Sequence, residues 1–215
     1  MQYNKRSLWP SIMPVTKHLL VINFIMWLAT IVLQRMGVLD LVYLLGLWNG
    51  PFFKPYQLLT YMFMHDPSYI WHVFCNMFSL WMFGSLLELE LGSKRFLFYY
   101  ITCGLGAALV QMLVWFLVGP DIAVTVGASG AVFGILLAFG MLFPNMRLYI
   151  LPFPFPIKAK WAVLGYGLFE LFFGISGGMS HVAHFAHLGG MLTGIILILY
   201  WKHNGTISRG RNGYN

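Results

Sequence analysis

The sequence predicts an all-α membrane protein: a bundle of six transmembrane helices with a membrane-associated first outer loop. Of its 215 residues, 59% are hydrophobic and only 9% are charged, whereas soluble domains carry about 25% charged residues. The mean hydropathy is +0.74. The apolar residues form continuous runs instead of the alternating pattern of a transmembrane barrel. These observations exclude a soluble enzyme and a disordered chain.

Six apolar segments approach the length of about 20 residues that a helix needs to cross the hydrocarbon core. They cover residues 18–36, 69–89, 96–118, 128–143, 161–176 and 185–201. Lys94 and Arg95 separate the second segment from the third, and prolines between positions 144 and 156 separate the fourth from the fifth. We therefore expect one core over residues 18–202, a short N-terminal cytoplasmic segment (1–17) and a C-terminal cytoplasmic tail (203–215).

The basic residues predict the orientation in the membrane. With both termini in the cytoplasm, only Arg35 and Lys54 of the Lys and Arg residues fall outside, as the positive-inside rule requires. We assign this multi-pass protein to a bacterial inner (cell) membrane. The net charge of +7 then reflects the Lys and Arg residues of the cytoplasmic loops, and the lipid bilayer is an expected partner. Because the basic residues are scattered, we expect no nucleic acid as a partner.

The first outer loop, residues 37–68, is long and apolar. Long loops without their own structure are uncommon in compact domains. We expect this loop to lie in the membrane interface, where Trp48, Phe52 and Tyr56 act as aromatic anchors.

Polar residues in three of the segments fall at one depth. His72 and Asn76 begin the second segment, Ser129 begins the fourth and His187 begins the sixth, and all three segments run inward from the outer face. Polar groups inside a membrane usually face a partner or a cavity. His72 and Asn76 are spaced i, i+4 and share a helix face. Instead of a functional role, the pair could have a structural one, in which these side chains form hydrogen bonds between helices.

Ser129 lies in the sequence GASGAVFG, residues 127–134. At a helix N-terminus its backbone N–H has no intrahelical partner, and the helix dipole favours an anion, such as the oxyanion of acyl transfer. Alternatively, Gly130 and Gly134 mark this segment as a packing motif of small residues.

His187 lies on the same helix face as Gly190 and Gly194. If these glycines pack against Gly130 and Gly134, His187 lies next to Ser129. The alternative is a histidine satisfied within the core.

A metal or cofactor is not expected. We do not expect His181, His184 and His187 to converge on one ion, we expect no acidic residue near these histidines, and His-Glu-x-x-His is absent. Cys75 and Cys103 both lie in apolar runs, which excludes a disulfide framework and a four-thiolate zinc site. The acidic residues include no pair suited to aspartyl proteolysis.

Three motifs resemble those of the rhomboid family of intramembrane serine proteases. They are His72-x-x-x-Asn76, Gly127-x-Ser129-Gly130 and Ala186-His187-x-x-Gly190-x-x-x-Gly194, and the resemblance covers about residues 17–201. It implies a serine endopeptidase that cleaves transmembrane segments of membrane proteins near the outer face. Ser129 would be the nucleophile and His187 the general base, a dyad with no third carboxylate. His72, Asn76 and the Ser129 amide would stabilise the oxyanion, and Glu88 would tie neighbouring helices together.

Two positions depart from the family pattern. Phe133 stands where the family often has Tyr, and we expect its ring to stack against His187. Asn49 follows Trp48 where some members have Arg. Gly127, Gly130, Gly190 and Gly194 remain as supporting residues.

Hydrolysis also needs water and an unwound substrate. We expect a mobile cap containing Gly177, Gly178 and Ser180 over a wet cavity above Ser129, and lateral substrate access past the fifth helix. The substrate helix must unwind locally, because its carbonyls are bonded within the helix.

Two other functions compete. A transporter or channel would continue the polar path toward the cytoplasm. Below Asn76 come Phe78, Leu80 and Met82, and below His187 come Leu192 and Ile195, so apart from Ser79 and Thr193 the path is apolar. A catalytically inactive family member that binds membrane proteins would typically lack the serine or the histidine, and this chain keeps both.

Overall fold

Helices account for most of the described chain. The computed structural model describes residues 12–119, 122–149, 155–177 and 183–207. The predicted cap residues Gly178 and Ser180, together with His181, lie outside the described residues. So do residues 1–11 of the predicted N-terminal segment and residues 208–215 of the predicted tail.

Each of the six predicted apolar segments contains helix. In chain order the described helices are α1 (Pro14–Arg35), α2 (Leu41–Leu45), α3 (Gln57–Thr60), α4 (Ile70–Ser79), α5 (Ser85–Leu91), α6 (Ser93–Val118), α7 (Ser129–Leu142), α8 (Ala159–Ser176) and α9 (His184–His203). A π-helical turn, Leu80–Gly84, joins α4 to α5. Short 3-10 turns follow α2 and α3, at Gly50–Phe52 and Tyr61–Phe63.

The described helices are those of a membrane protein. Four are long and apolar enough to cross a bilayer: Pro14–Arg35, Ile70–Leu91, Ser93–Leu117 and His184–His203. The helix α7 is apolar but has only 14 residues. Large hydrophobic side chains are exposed on the outer faces of α1 and α8, including Phe24, Ile25, Phe172 and Ile175, as lipid contact requires. The chain is a helical membrane protein, and the count of six crossings stays a prediction.

Glu88 fixes the N-terminus of α1. Its carboxylate accepts the backbone N–H groups of Val15 at 2.9 Å and Thr16 at 2.8 Å, and the hydroxyls of Thr16 at 2.8 Å and Ser93 at 2.6 Å. The first N–H groups of a helix have no intrahelical acceptor, so this buried carboxylate supplies one. Since Pro at the first helical position needs no acceptor, α1 begins at Pro14, four residues before the predicted start.

The second and third predicted segments separate at Gly92, not at Lys94 and Arg95. Gly92 has φ +77°, a left-handed conformation that favours glycine. Lys94 and Arg95 lie in the first turn of α6. The predicted break was therefore wrong by two residues.

The first outer loop has a structure of its own. Its strand β1 (Leu47–Trp48) pairs antiparallel with β2 (Val124–Thr125), just before α7. Asn49 extends this pairing, because its N–H donates to the Ala123 carbonyl at 3.1 Å and its side-chain oxygen accepts the Ala123 N–H at 2.6 Å. The loop is thus attached to the segment that leads to Ser129. A second antiparallel pair, β3 (Arg147–Leu148) and β4 (Ile157–Lys158), precedes α8.

The interior of the loop is held by one amide side chain. Buried Gln57 accepts the N–H of Lys54 at 3.0 Å and of Trp48 at 3.4 Å, and it donates to the Leu44 carbonyl at 3.3 Å. Of the predicted anchors, Tyr56 is exposed, whereas Trp48 and Phe52 are half-buried and contact each other.

Candidate active site

The side chains of Ser129 and His187 are in contact. Ser129 is the first residue of α7, and His187 lies in the first turn of α9. Nε2 of His187 is 2.8 Å from Oγ of Ser129, across 58 positions of sequence. The imidazole is buried, while the serine is partly exposed. A hydroxyl within hydrogen-bond distance of an imidazole nitrogen is the arrangement that nucleophilic catalysis requires.

Close packing of α7 on α9 produces this contact. A Cβ on Gly190 would overlap the Gly130 carbonyl, and a Cβ on Gly194 would be 3.4 Å from the Gly134 Cα. Glycine at these positions lets the two backbones touch, which places the first turns of the helices side by side. The Tyr99 hydroxyl of α6 donates to the Gly134 carbonyl at 2.7 Å and so attaches α6 to this junction.

Phe133 covers one face of the imidazole. Its ring stacks on His187 with centroids 4.2 Å apart and planes inclined by 8°. Stacked rings restrict the His187 rotamer without a hydroxyl contact.

Gln111 of α6, which the sequence reading missed, accepts the N–H of Ala186 at 3.1 Å and so holds the first turn of α9.

His72 points toward the turn that precedes Ser129. Its Nδ1 accepts the backbone N–H of Asp66 at 3.4 Å, which leaves the proton of a neutral ring on Nε2. Gly127, with φ +130°, lies beside that nitrogen, and a Cβ there would be 2.8 Å from His72 Nε2 and 3.6 Å from Ser129 Oγ. An Nε2–H donor and the serine hydroxyl therefore flank the same turn.

Asn76 lies one turn further along the same helix and is buried. Its amide donates to the His72 carbonyl at 2.9 Å, which leaves the second N–H of that amide for another acceptor. Gly127 donates its N–H to the Tyr61 carbonyl at 3.0 Å. The Ser129 N–H, first in its helix, has no intrahelical acceptor.

A carboxylate that the sequence reading excluded lies beside Nδ1 of His187, the ring nitrogen that does not contact Ser129. Oε2 of Glu170, on α8, is 2.9 Å from Nδ1 of His187 and 2.7 Å from Nδ1 of His184. The dyad itself stays a prediction, and the structure adds a carboxylate beside it that the sequence reading did not identify. An ionisable residue within an apolar helix indicates a functional site. Glu170 lies in the apolar segment 161–176, so the sequence offered a signal that could have identified it.

The same three residues form the one group of potential metal ligands found in the described part of the chain. Their ligand atoms all lie within 4.8 Å of one another, so the expectation that no acidic residue lies near these histidines was wrong. The separations of 2.7 and 2.9 Å are shorter than the roughly 3.3 Å between tetrahedral ligands of a zinc ion. Such distances are those of hydrogen bonds or ion pairs between the carboxylate and the two imidazoles, and they are too short for ligands around one metal ion.

His65 is a second buried histidine near the site. Its ring packs edge-on against His72 with centroids 5.1 Å apart, and neither ring nitrogen has a hydrogen-bond partner among the described residues. Burial, and then the proximity of His72, lowers the pKa of His65 to about 3. It is therefore neutral at physiological pH.

A cavity of about 530 Å³ lies between α7, α8 and α9. Its lining is apolar apart from Lys160, and it does not include Ser129. The wet cavity expected above Ser129 depends on residues 178–182, which are outside the described part.

Comparison with known proteins gives the family. The family model described as the Rhomboid domain matches residues 53–203. The chain is 30% identical to Rhomboid protein 1, mitochondrial, of Saccharomyces cerevisiae, over 70% of this chain and 48% of that protein. It is 32% identical to RHOMBOID-like protein 1 of Arabidopsis thaliana, over 79% of this chain and 39% of that protein. The chain thus spans about half, or less, of the length of these relatives.

The relatives correct the predicted location. Several are named for an organelle, such as Rhomboid-like protein 11, chloroplastic, of Arabidopsis thaliana, which is 34% identical over 66% of this chain and 51% of that protein. The assignment to a bacterial inner membrane was therefore wrong. Composition and charge report a bilayer, but they do not distinguish one bilayer from another.

The domain match covers more than half of the chain and includes Ser129 and His187; the chain belongs to the rhomboid family.

Proposed function

We propose that this chain is an intramembrane serine endopeptidase that cleaves transmembrane segments of membrane proteins, with Ser129 as nucleophile and His187 as general base. The observation that carries the proposal is the 2.8 Å contact between Ser129 Oγ and His187 Nε2. Family membership supports the activity. The organelle names of several relatives favour an organellar membrane for this chain.

The reaction begins with proton transfer from Ser129 Oγ to His187 Nε2 as Oγ bonds to the scissile carbonyl carbon. The carbonyl oxygen takes the electron pair and becomes an oxyanion. His187 then returns the proton to the leaving amine, and the carbon–nitrogen bond breaks. Water repeats the sequence on the acyl-enzyme and frees the serine.

The oxyanion is stabilised by N–H donors beside Ser129. We assign this role to Nε2–H of His72, the amide of Asn76 and the backbone N–H of Ser129. Donors fixed by the fold are effective because they need no reorganisation as charge develops. The His72 donor is oriented by its contact with the Asp66 N–H.

The substrate is a transmembrane segment that reaches Ser129 laterally past α8, in a bundle of six crossings. Its helix must unwind near the scissile bond, because carbonyls bonded within a helix are closed to attack. Segments with helix-breaking residues close to the depth of Ser129 are therefore the preferred substrates.

A fluorophosphonate probe tests the proposal on the purified protein in detergent micelles. Wild type should be labelled, while Ser129→Ala and His187→Ala should not. Ser85→Ala is the matched control, since Ser85 is a buried serine with no hydrogen-bond partner among the described side chains. Labelling of Ser129→Ala equal to that of wild type would reject the nucleophile.

A further inference from the structure

We infer that Glu170 positions His187 for catalysis, so that the working unit is Ser129–His187–Glu170, with the carboxylate on the fifth predicted membrane segment. This inference rests on the proposed peptidase activity. Glu170 is 17 positions before His187 and on a different helix. The two residues meet because the end of α8 packs on the start of α9: a Cβ on Gly174 would be 3.3 Å from the Cβ of His184.

The imidazole of His187 is held from both sides. Nε2 lies 2.8 Å from Ser129 Oγ, and Nδ1 lies 2.9 Å from Glu170 Oε2. The Glu170 contact is an ion pair by distance, because the oxygen lies off the line of an Nδ1–H bond, and Nδ1 has no hydrogen-bond partner among the described residues. Phe133 stacks on the ring face. These contacts leave the ring little freedom to rotate.

The carboxylate determines where the ring proton sits. An ionised carboxylate only accepts hydrogen bonds, so the N–H of neutral His187 belongs on Nδ1, facing Glu170. Nε2 then presents its lone pair to the serine hydroxyl, which is the tautomer that a general base needs. Without the carboxylate, nothing among the described residues favours that tautomer over the other.

The carboxylate also balances the charge that forms during the reaction. When His187 Nε2 takes the proton from Ser129 Oγ, the ring becomes a cation beside a buried anion. The Nδ1 proton remains in place in every step, and Glu170 neither gains nor loses a proton. The attraction is strong at this site because Glu170 and His187 are both buried and little water screens them.

His184 fixes the carboxylate. Its Nδ1 is 2.7 Å from the same Oε2 atom, and it lies one turn before His187 on the same face of α9. A buried carboxylate is costly unless it is paired, and His184 provides a second partner for it. The pairing also holds α8 against α9, which links the fifth segment to the general base.

The proposal is tested on the purified full chain in liposomes, with a transmembrane reporter substrate. Glu170→Gln should lower kcat with KM unchanged, by up to the roughly 10⁴-fold that the same acid-to-amide change causes in a soluble serine protease. Glu170→Asp, which keeps the charge on a shorter side chain, should recover part of kcat. Glu90→Gln removes a carboxylate away from the site and should leave both constants unchanged.

A tautomer measurement separates positioning from a structural role. In protein labelled with ¹⁵N-histidine, the His187 resonances are identified by their loss in His187→Ala. Wild type should show a protonated Nδ1 and a free Nε2, and Glu170→Gln should shift the proton toward Nε2, because the amide can donate to Nδ1. If Glu170→Gln does not fold, Glu170→Asp and the wild-type tautomer decide the question.

Each outcome has one meaning. A kcat for Glu170→Gln within about threefold of wild type, or an Nε2-protonated tautomer in wild type, would overturn the positioning role. If wild type neither hydrolyses the reporter nor reacts with the fluorophosphonate, the proposed function fails instead, and the tautomer still decides the Glu170 contact.

Discussion

The ring of Phe133 lies parallel to the imidazole of His187, with centroids 4.2 Å apart. One residue is on α7, four positions after the serine, and the other is on α9. The stack therefore joins the two helices that bring the proposed nucleophile and base together. It also fixes the ring of the base by shape alone.

Truncation of this ring should slow the reaction. We expect Phe133→Ala to lower kcat by up to about tenfold, since a stacked aromatic pair contributes about 0.5–1.5 kcal/mol. Phe133→Tyr keeps the ring and should retain kcat. The measurement is reporter cleavage in liposomes; equal rates for Phe133→Ala and wild type would show that the stack does not orient His187.

The contact between α7 and α9 should not tolerate one added methyl group. In Gly190→Ala the new Cβ would overlap the Gly130 carbonyl, which is backbone and has little room to move. Overpacking of this kind costs about 1–3 kcal/mol or more, so the thermal unfolding midpoint in detergent should fall.

Gly165→Ala is the matched control for this change. Gly165 is also a helical glycine, but nothing lies within 4 Å of a Cβ there. Its midpoint should rise slightly, because alanine favours a helix over glycine by about 0.5–1 kcal/mol. Equal effects of the two substitutions would contradict the close approach of the helices.

Loss of an oxyanion donor should reduce kcat and leave KM unchanged. We expect His72→Ala to lower kcat by about 10²–10³-fold, as for an oxyanion donor in a soluble protease, and Asn76→Ala to have a smaller effect because one amide N–H is already bonded within its helix. Asn23→Ala is the control, since Asn23 makes the same i−4 backbone bond in α1. An unchanged kcat in both site variants would remove these residues from the oxyanion site.

His65 should make stability depend on pH below neutrality. Its pKa of about 3 in the folded protein is far below the ordinary value of about 6.5, so the unfolded chain binds more protons between these values. The contribution of neutral His65 to the free energy of unfolding should be fully present above the pKa of the unfolded chain and be lost as the pH decreases. The free energy of unfolding should therefore fall by about 2 kcal/mol between pH 7 and pH 5. His65→Phe, which keeps a buried ring, should flatten this dependence in thermal unfolding measured across that range; a curve parallel to wild type would contradict the assignment.

Removal of divalent metal should leave hydrolysis unchanged. Glu170 lies at hydrogen-bond distance from His184 and His187, and we attribute those contacts to protons. Cleavage of the reporter should proceed equally with and without EDTA. A loss of activity that zinc restores would instead assign these three residues to a metal site.

Most of the helices could be predicted from the sequence, because the membrane constrains each apolar segment separately. Every backbone polar group in the hydrocarbon must be satisfied within its own helix, so apolar runs indicate helices without reference to their neighbours. The boundaries were less accurate where a distant residue sets them. Helix α1 starts at Pro14 because Glu88, more than 70 positions away, accepts its first N–H groups.

The first outer loop shows the same limit. Its aromatic composition indicated the membrane interface, but its shape depends on pairing with residues just before α7. Asn49, known from the sequence only as a departure from the family pattern, bonds to Ala123 in both directions. Nothing near position 49 in the sequence indicates that partner.

The sequence by itself determined that this is a membrane protein, which segments form helices, and that Ser129 and His187 are candidates for the site. It did so because hydropathy, spacing and small-residue motifs are properties of single segments. The tertiary structure alone decided that Ser129 Oγ touches Nε2 of His187 and that Glu170 lies at its Nδ1. Hydrogen bonds and ion pairs act over about 3 Å, and which side chains come that close depends on how α8 packs against α9. A motif within one helix does not contain that information.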